Sequence, residues 1–230
     1  MSRANMDKNP QEVAAMFDGV ARRYDIVNDI LSLGRTKAWR KAATKIIAPA
    51  PGMKILDMAA GTGSSSAPLA AAGADVTAAD FSEGMIAAGK KARPDLTFIK
   101  ADALNLPFED NAFDLFTISF GLRNTQNTAK ALAEARRVVK SGGRLVIVEF
   151  SSPTFAPFRA IYMNYLMRAL PFIARRTSSN PDAYIYLADS IRAWPDQKAL
   201  AAQIVDAGWT QVGWKNLTGG VVAIHIAVAP

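Results

Sequence analysis

The 230-residue sequence predicts an α/β fold, with a mostly parallel sheet of about seven strands and helices on both faces. Two observations carry this expectation. Short apolar runs of strand length alternate with helical periodicities from Lys54 to Phe150. A glycine turn, Gly61-Thr62-Gly63, then sits where the first of those strands meets its helix, with an acid, Asp80, at the end of the next strand.

Asn9-Pro10-Gln11-Glu12 reads as a helix start, with a capping residue, a first-turn proline and an acid three residues on. Val13, Phe17, Val20 and Tyr24 follow at spacings of four, three and four, which is one apolar face. A second helix is expected over about 36–47, stopped by Pro49 and Pro51. Strands are expected at 54–58, 75–79, 96–100, 113–119 and 143–150. Helices fill the intervals at about 65–72, 82–91 and 128–139. Residues 155–192 break the rhythm and read as two helices, the second opening at Asn180-Pro181. A helix ending at Gly208 and strands at 209–214 and 221–228 complete the series. We expect a single domain over 1–230, with a helical cap at about 9–48 and a helical insertion at about 155–193.

Half the residues are hydrophobic and 20% are charged, a globular composition. The formal charge of +7 favours an anionic partner: nucleic acid, an acidic lipid surface or an anionic substrate. The chain has no cysteine, which excludes disulfides, thiolate metal sites and thiol nucleophiles and fits a reducing compartment. A single histidine, His225, excludes a histidine-rich metal site, so no metal is expected. No uncharged apolar run reaches the ~18–20 residues of a membrane span. The first residues lack the apolar core of a signal peptide.

Glycines at 61 and 63 allow close approach of backbone to a ligand, and Asp80 can accept both hydroxyls of a ribose. Ser66 stands where a dinucleotide fingerprint would have its third glycine, which speaks against a nicotinamide oxidoreductase. The segment Ile55-Leu56-Asp57-Met58-Ala59-Ala60-Gly61-Thr62-Gly63, with Asp80, resembles the nucleoside motif of class I S-adenosylmethionine-dependent methyltransferases, a Rossmann-like fold. That resemblance implies S-adenosyl-L-methionine as cofactor. It places Asp57 at the close of the first strand, Gly61, Thr62 and Gly63 in the turn, and Asp80 on the ribose. It puts Asp102 and Ala103 on the adenine edge and Ser119 near the methionine part. The family usually has glycine at one of the two alanine positions, Ala59 or Ala60.

Longer stretches narrow the resemblance. Tyr24-Asp25-Ile26-Val27-Asn28-Asp29-Ile30-Leu31-Ser32, followed by Trp39, is similar to the N-terminal signature of the ubiquinone/menaquinone biosynthesis C-methyltransferases. Phe120-Gly121-Leu122-Arg123-Asn124, the run from Arg137 to Ser151, and 216–225 match that family too. The segment from Ser179 to Pro195 is most similar to the demethylmenaquinone branch. The implied reaction is C-methylation of a prenylated hydroquinone, demethylmenaquinol to menaquinol. Benzoquinol methylation in ubiquinone biosynthesis is the alternative.

A quinone ring is electron-poor, whereas a deprotonated hydroquinone is a carbon nucleophile. The protein must align the reactants and stabilise the phenolate. Arg123, just after the fourth strand, is the first candidate for that cation; its alternative role is to tie a loop to a carboxylate. His225 is the side chain whose ordinary pKa suits a base near neutrality, unless it is a satisfied core histidine. Tyr24 and Asn28 are candidates to close the substrate pocket.

Nucleic-acid methylation is disfavoured. Ser119-Phe120-Gly121-Leu122 lacks the proline-bearing run of amino-group enzymes, and no cysteine is present to attack a cytosine ring. A non-catalytic quinone-binding module is the remaining alternative. The segment from Phe155 to Arg176 is apolar, carries Arg159, Arg168, Arg175 and Arg176, and has no acid. It is expected to dock peripherally on an anionic membrane, at the inner face in a cytoplasmic protein, or else to cover the site or form a homodimer contact.

Overall fold

The computed structural model describes residues 7–18, 34–169 and 181–230. Tyr24, Asn28, Arg175 and Arg176 lie outside the described residues.

The chain opens with α1 (Pro10–Asp18) and α2 (Arg35–Ile47). The sheet then begins: β1 (Lys54–Met58), α3 (Ser66–Ala71), β2 (Asp75–Asp80), α4 (Glu83–Ala92), β3 (Thr97–Lys100) and β4 (Phe113–Ser119). A 3-10 turn at Leu122–Asn124 precedes α5 (Thr128–Val138) and β5 (Val139–Phe150). Next come α6 (Ala156–Asn164), which passes into a π turn (Tyr165–Ala169), then α7 (Pro181–Ala193) and α8 (Gln197–Asp206). β6 (Thr210–Leu217) and β7 (Val222–Val228) complete the sheet.

The seven strands lie in the order β3-β2-β1-β4-β5-β7-β6. β1 through β5 pair in parallel, and β7 runs antiparallel to both β5 and β6. From β1 the chain builds outward to β3 and then restarts at β4 on the other side. The connections diverge there and leave a crevice beyond the carboxyl ends of β1 and β4, the place where open α/β sheets bind ligands.

Both faces of the central strands are buried, so they read as continuous apolar runs. Leu56, Met58, Phe116, Ile118, Leu145 and Ile147 face a layer containing Leu132 of α5, Ile204 of α8 and Trp209. Ile55, Leu115, Val146, Val148 and Ile224 face Trp39, Ala43 and Ile47 of α2 and Leu69 of α3. Each such side chain contributes roughly 1.5–3 kcal/mol on burial.

Two strand boundaries differ from the sequence reading. β5 starts at Val139, ahead of the glycines, because a register shift between Phe113 and Leu115 accommodates the Ser141-Gly142-Gly143 step. A Cβ on Gly143 would meet the Asp114 carbonyl oxygen at 2.8 Å, so this close approach needs glycine. β6 runs on to Leu217 as a half-exposed edge strand whose hydrophobic alternation is weak.

Candidate active site

The turn after β1 is built for close approach. Ala59 takes a left-handed φ of 55°, and Gly61 and Gly63 take 57° and 82°. The left-handed position falls on Ala59, one of the two places where glycine was anticipated, and alanine there bears steric strain. The turn after β4 touches it: a Cβ on Gly121 would fall 2.3 Å from that of Ala59. Phe120, just before, also has a left-handed φ, 58°, an unusual conformation for a bulky residue and one that concentrates at functional sites.

The acids line the crevice. Asp80 Oδ2 accepts the Gly61 amide at 2.8 Å, and Oδ1 accepts the Ser82 amide at 2.9 Å. This fixes both oxygens at the strand end. Asp102 is next along the sheet edge, since the Ala101 amide donates to the Asp80 carbonyl. Asp102 Oδ1 in turn caps its own turn through the Leu104 amide, and Ala103 is buried beside it. The Thr62 hydroxyl lies 3.2 Å from that of Ser64, and Ser119 sits half-buried at the end of β4.

Asp57 is fully buried. The hydroxyls of Ser65 and Ser66 donate to its Oδ2 at 2.7 and 2.6 Å, while Oδ1 has no partner. Burial raises its pKa to about 6, against the pull of the two serine hydrogen bonds. Thr117, the β4 residue paired with Asp57, also ends in a buried hydroxyl without a partner. Two unsatisfied oxygens at adjacent positions under the crevice are a costly arrangement unless a polar ligand or water completes it. Together with the positive-φ glycines and Asp80, this set fits an aminoacyl nucleoside.

Arg123 is buried and tied down. Its Nη1 donates to Glu149 Oε1 at 2.9 Å and to the Phe120 carbonyl at 2.6 Å. Nε reaches the Ser190 hydroxyl at 3.3 Å, and the guanidinium lies 5.1 Å from the centre of the Phe150 ring. Glu149 also accepts the amides of Arg123 and Phe150, so the carboxylate is satisfied on several sides. The loop-tying role weighed for Arg123 is therefore present. Nη2, however, makes no hydrogen bond among the described residues. Beside it Trp39, Phe120 and Phe150 form an aromatic wall, with ring centres 5.1 to 6.3 Å apart. Glu149 and this wall were not singled out from the sequence, because only the fold brings β4, β5 and α2 together.

His225 is not brought to the crevice. It pairs in register with Ile147, two residues short of Glu149, and only 1% of it is exposed. Its Nε2 donates to the Gln197 carbonyl at 2.9 Å beneath α8, and burial lowers its pKa. The expectation of a base at His225 is therefore corrected: a ring sealed under α8 cannot reach a substrate hydroxyl. No cluster of potential metal ligands occurs among the described residues.

A family model matches residues 5–229, nearly the whole chain. The chain belongs to the ubiE/COQ5 methyltransferase family. A demethylmenaquinone methyltransferase of Renibacterium salmoninarum is 60% identical over 227 residues, covering 99% of this chain and 96% of that one. One of Streptomyces avermitilis is 60% identical over 225 residues, with 98% and 97% covered. The fold is that of S-adenosylmethionine-dependent methyltransferases. Haemonchus contortus phosphoethanolamine N-methyltransferase 2, solved with S-adenosyl-L-methionine, superposes with a TM-score of 0.62 at 16% identity, over 83% of this chain and 52% of that one. A methyltransferase in complex with the Haloferax volcanii Trm112 activator gives 0.67 at 17% identity, over 93% and 97%.

Proposed function

We propose that this methyltransferase methylates a ring carbon of demethylmenaquinol, the prenylated naphthohydroquinone that precedes menaquinol. The relatives at 60% identity carry that activity in their names and match this chain over nearly its full length. The observation that carries the reading is the Arg123 guanidinium, locked by Glu149 and the Phe120 carbonyl, with Nη2 left over beside an aromatic wall.

S-Adenosyl-L-methionine supplies an electrophilic methyl group on a sulfonium. Gly61, Thr62 and Gly63 shape its turn, Asp80 takes the ribose hydroxyls, Asp102 and Ala103 flank the adenine, and Asp57 and Ser119 lie toward the methionine. The aromatic residues Trp39, Phe120 and Phe150 offer flat faces for a naphthalene ring. The hydroquinone gives a hydroxyl proton to water, and Arg123 Nη2 donates to the phenolate oxygen left behind; the adjacent ring carbon takes the methyl group and then releases its own proton to water. Removing water strengthens that interaction, since the pair sits in a low-dielectric site. Tyr24 and Asn28 complete the pocket in this reading.

A prenyl tail lives in the bilayer, and no helix among the described residues is long and apolar enough to cross it. In this reading the protein meets its substrate from the membrane surface. Phe155, which caps α6, and Ile161 within it are each 67% exposed. Arg35, Lys37, Lys41 and Lys45 are exposed on α2, which carries no acid. Both helices border the apolar cluster around Trp39 and Phe158, so a basic face and protruding apolar side chains share one side of the molecule.

The test is methyl transfer from labelled cofactor to reduced demethylmenaquinone and, in parallel, to the demethyl benzoquinol. Preferential labelling of the naphthoquinol supports the reading, and preferential labelling of the benzoquinol contradicts it.

A further inference from the structure

Lys8 brings a further cation toward the Arg123–Glu149 pair. It is half-buried, and its Nζ lies 5.7 Å from the centre of the Trp194 ring. Trp194 follows α7 and stands four residues after Ser190, which accepts from Arg123 Nε at 3.3 Å. Tyr186, four residues before Ser190, donates to Asn124 Oδ1 at 3.2 Å. One stripe of α7 thus holds the turn after β4 and, at its end, Lys8. The backbone is turned to reach it. Lys8 has a left-handed φ of 53°, and Asn9 then caps α1 by accepting the Gln11 amide at 3.0 Å. α1 itself packs on α4, the helix that follows Asp80. Residues 8–18 therefore reach from the β5 side of the crevice to the β2 side.

Lys8 Nζ makes no hydrogen bond or ion pair among the described residues. Glu149 already accepts from Arg123 Nη1 and from two amides, so its charge is matched by Arg123. Burial first, and then the charge of Arg123, pull the Lys8 pKa below the ordinary lysine value, against the attraction of Glu149. A cation so placed lacks an anion, and the anion that the reaction forms is the phenolate at Arg123 Nη2. We propose that Lys8 is a second cation of the active site, carried on the N-terminal segment, and that its charge stabilises the phenolate held by Arg123. The hydroxyl proton still leaves to water, and Lys8 keeps its own. Tyr162 of α6 and Tyr186 of α7 face the same guanidinium, but burial raises both phenols, so they stay neutral and bring no competing negative charge. Asp7 and Glu12, near Lys8 in sequence, are exposed.

The inference rests on the demethylmenaquinol reading, and two readouts keep the two ideas apart. The pH profile of kcat with reduced demethylmenaquinone is compared for wild type, Lys8→Met and Lys8→Arg. Lys8→Met should move the acid limb up by about one pH unit and lower kcat about 10-fold at neutral pH, with the two enzymes converging at alkaline pH. Lys8→Arg keeps the charge and should return the limb most of the way. Independently, the absorbance of 1-naphthol bound to each protein with S-adenosylhomocysteine reads the ionisation of a phenol in the pocket. Bound naphthol should ionise about one pH unit higher in Lys8→Met than in wild type. If either the limb or the naphthol keeps its wild-type midpoint in Lys8→Met, the assignment is overturned whatever the change in kcat, because a merely structural contact moves neither. An equal shift in Lys8→Arg overturns it too. If wild type labels no demethylmenaquinol, the substrate reading fails and the naphthol titration alone decides Lys8.

Discussion

Arg123 and Glu149 form a buried ion pair, Nη1 to Oε1 at 2.9 Å, with 4% and 1% of the side chains exposed. Such a pair adds little net stability when intact, but breaking one half is expensive because the other charge stays buried. Arg123→Ala should lower stability by about 3–5 kcal/mol for this reason. Arg123→Lys keeps the charge but loses the fork that spans Glu149, Phe120 and the crevice. For Arg123→Lys we expect kcat to fall by at least ~10-fold with little change in cofactor affinity, the pattern of an interaction made in the transition state. Steady-state kinetics and cofactor titration check this, and a normal kcat would reduce Arg123 to a structural tie.

Asp80 is held by two backbone amides at 2.8 and 2.9 Å, which aims its carboxylate into the crevice. Asp80→Ala should weaken S-adenosylmethionine by roughly 100-fold or more, since two charge-assisted hydrogen bonds are lost. Calorimetry at neutral pH reads the change directly. An unaltered affinity would move the ribose elsewhere.

Asp57 gives a pH dependence of defined sign. Its pKa is raised from 3.8 to about 6, so between those values the folded chain holds a proton that the unfolded chain has released. Stability from this group is greatest below pH ~4, falls as pH rises toward 6, and is lower by about 3 kcal/mol above that. The comparison is between wild type and Asp57→Asn, by denaturant unfolding without cofactor from pH 4 to 8. The difference between the two should change across the window and flatten above it, whereas a constant difference contradicts the burial account. His225 acts in the opposite sense: its lowered pKa favours the neutral ring in the fold, so its contribution is full above the ordinary histidine pKa and is lost below it.

Membrane docking predicts a salt-dependent association. Wild type should sediment with anionic vesicles at low salt and much less with zwitterionic ones, each basic residue near the surface contributing about 1 kcal/mol. Lys37→Glu/Lys41→Glu/Lys45→Glu should abolish the preference. Association that ignores both lipid charge and salt would rule out the basic face of α2.

Much of the fold was legible in the sequence because parallel strands buried on both faces leave strong signals. β1 and β4 fall where their apolar runs place them, at Lys54–Met58 and Phe113–Ser119. The glycine turn was legible too, since glycines after a strand have few other uses. The single reversed strand β7 was not, because an apolar run carries no direction. Arg123 could be singled out by its place after β4, but its tether to Glu149 spans 26 residues and is made only by the pairing of β4 with β5. His225 misled for a chemical reason: an ordinary pKa near neutrality says nothing of burial, and this ring lies under α8.

The most direct test of the account is methyl transfer with the quinone held in one redox state at a time. With labelled S-adenosylmethionine under anaerobic conditions, demethylmenaquinone kept reduced should be methylated on its ring, and the label should be lost with Arg123→Lys. The same quinone kept oxidised should take up nothing, because its ring carbon is not a nucleophile. Equal labelling of the oxidised and reduced forms would contradict the phenolate mechanism and the role given to Arg123.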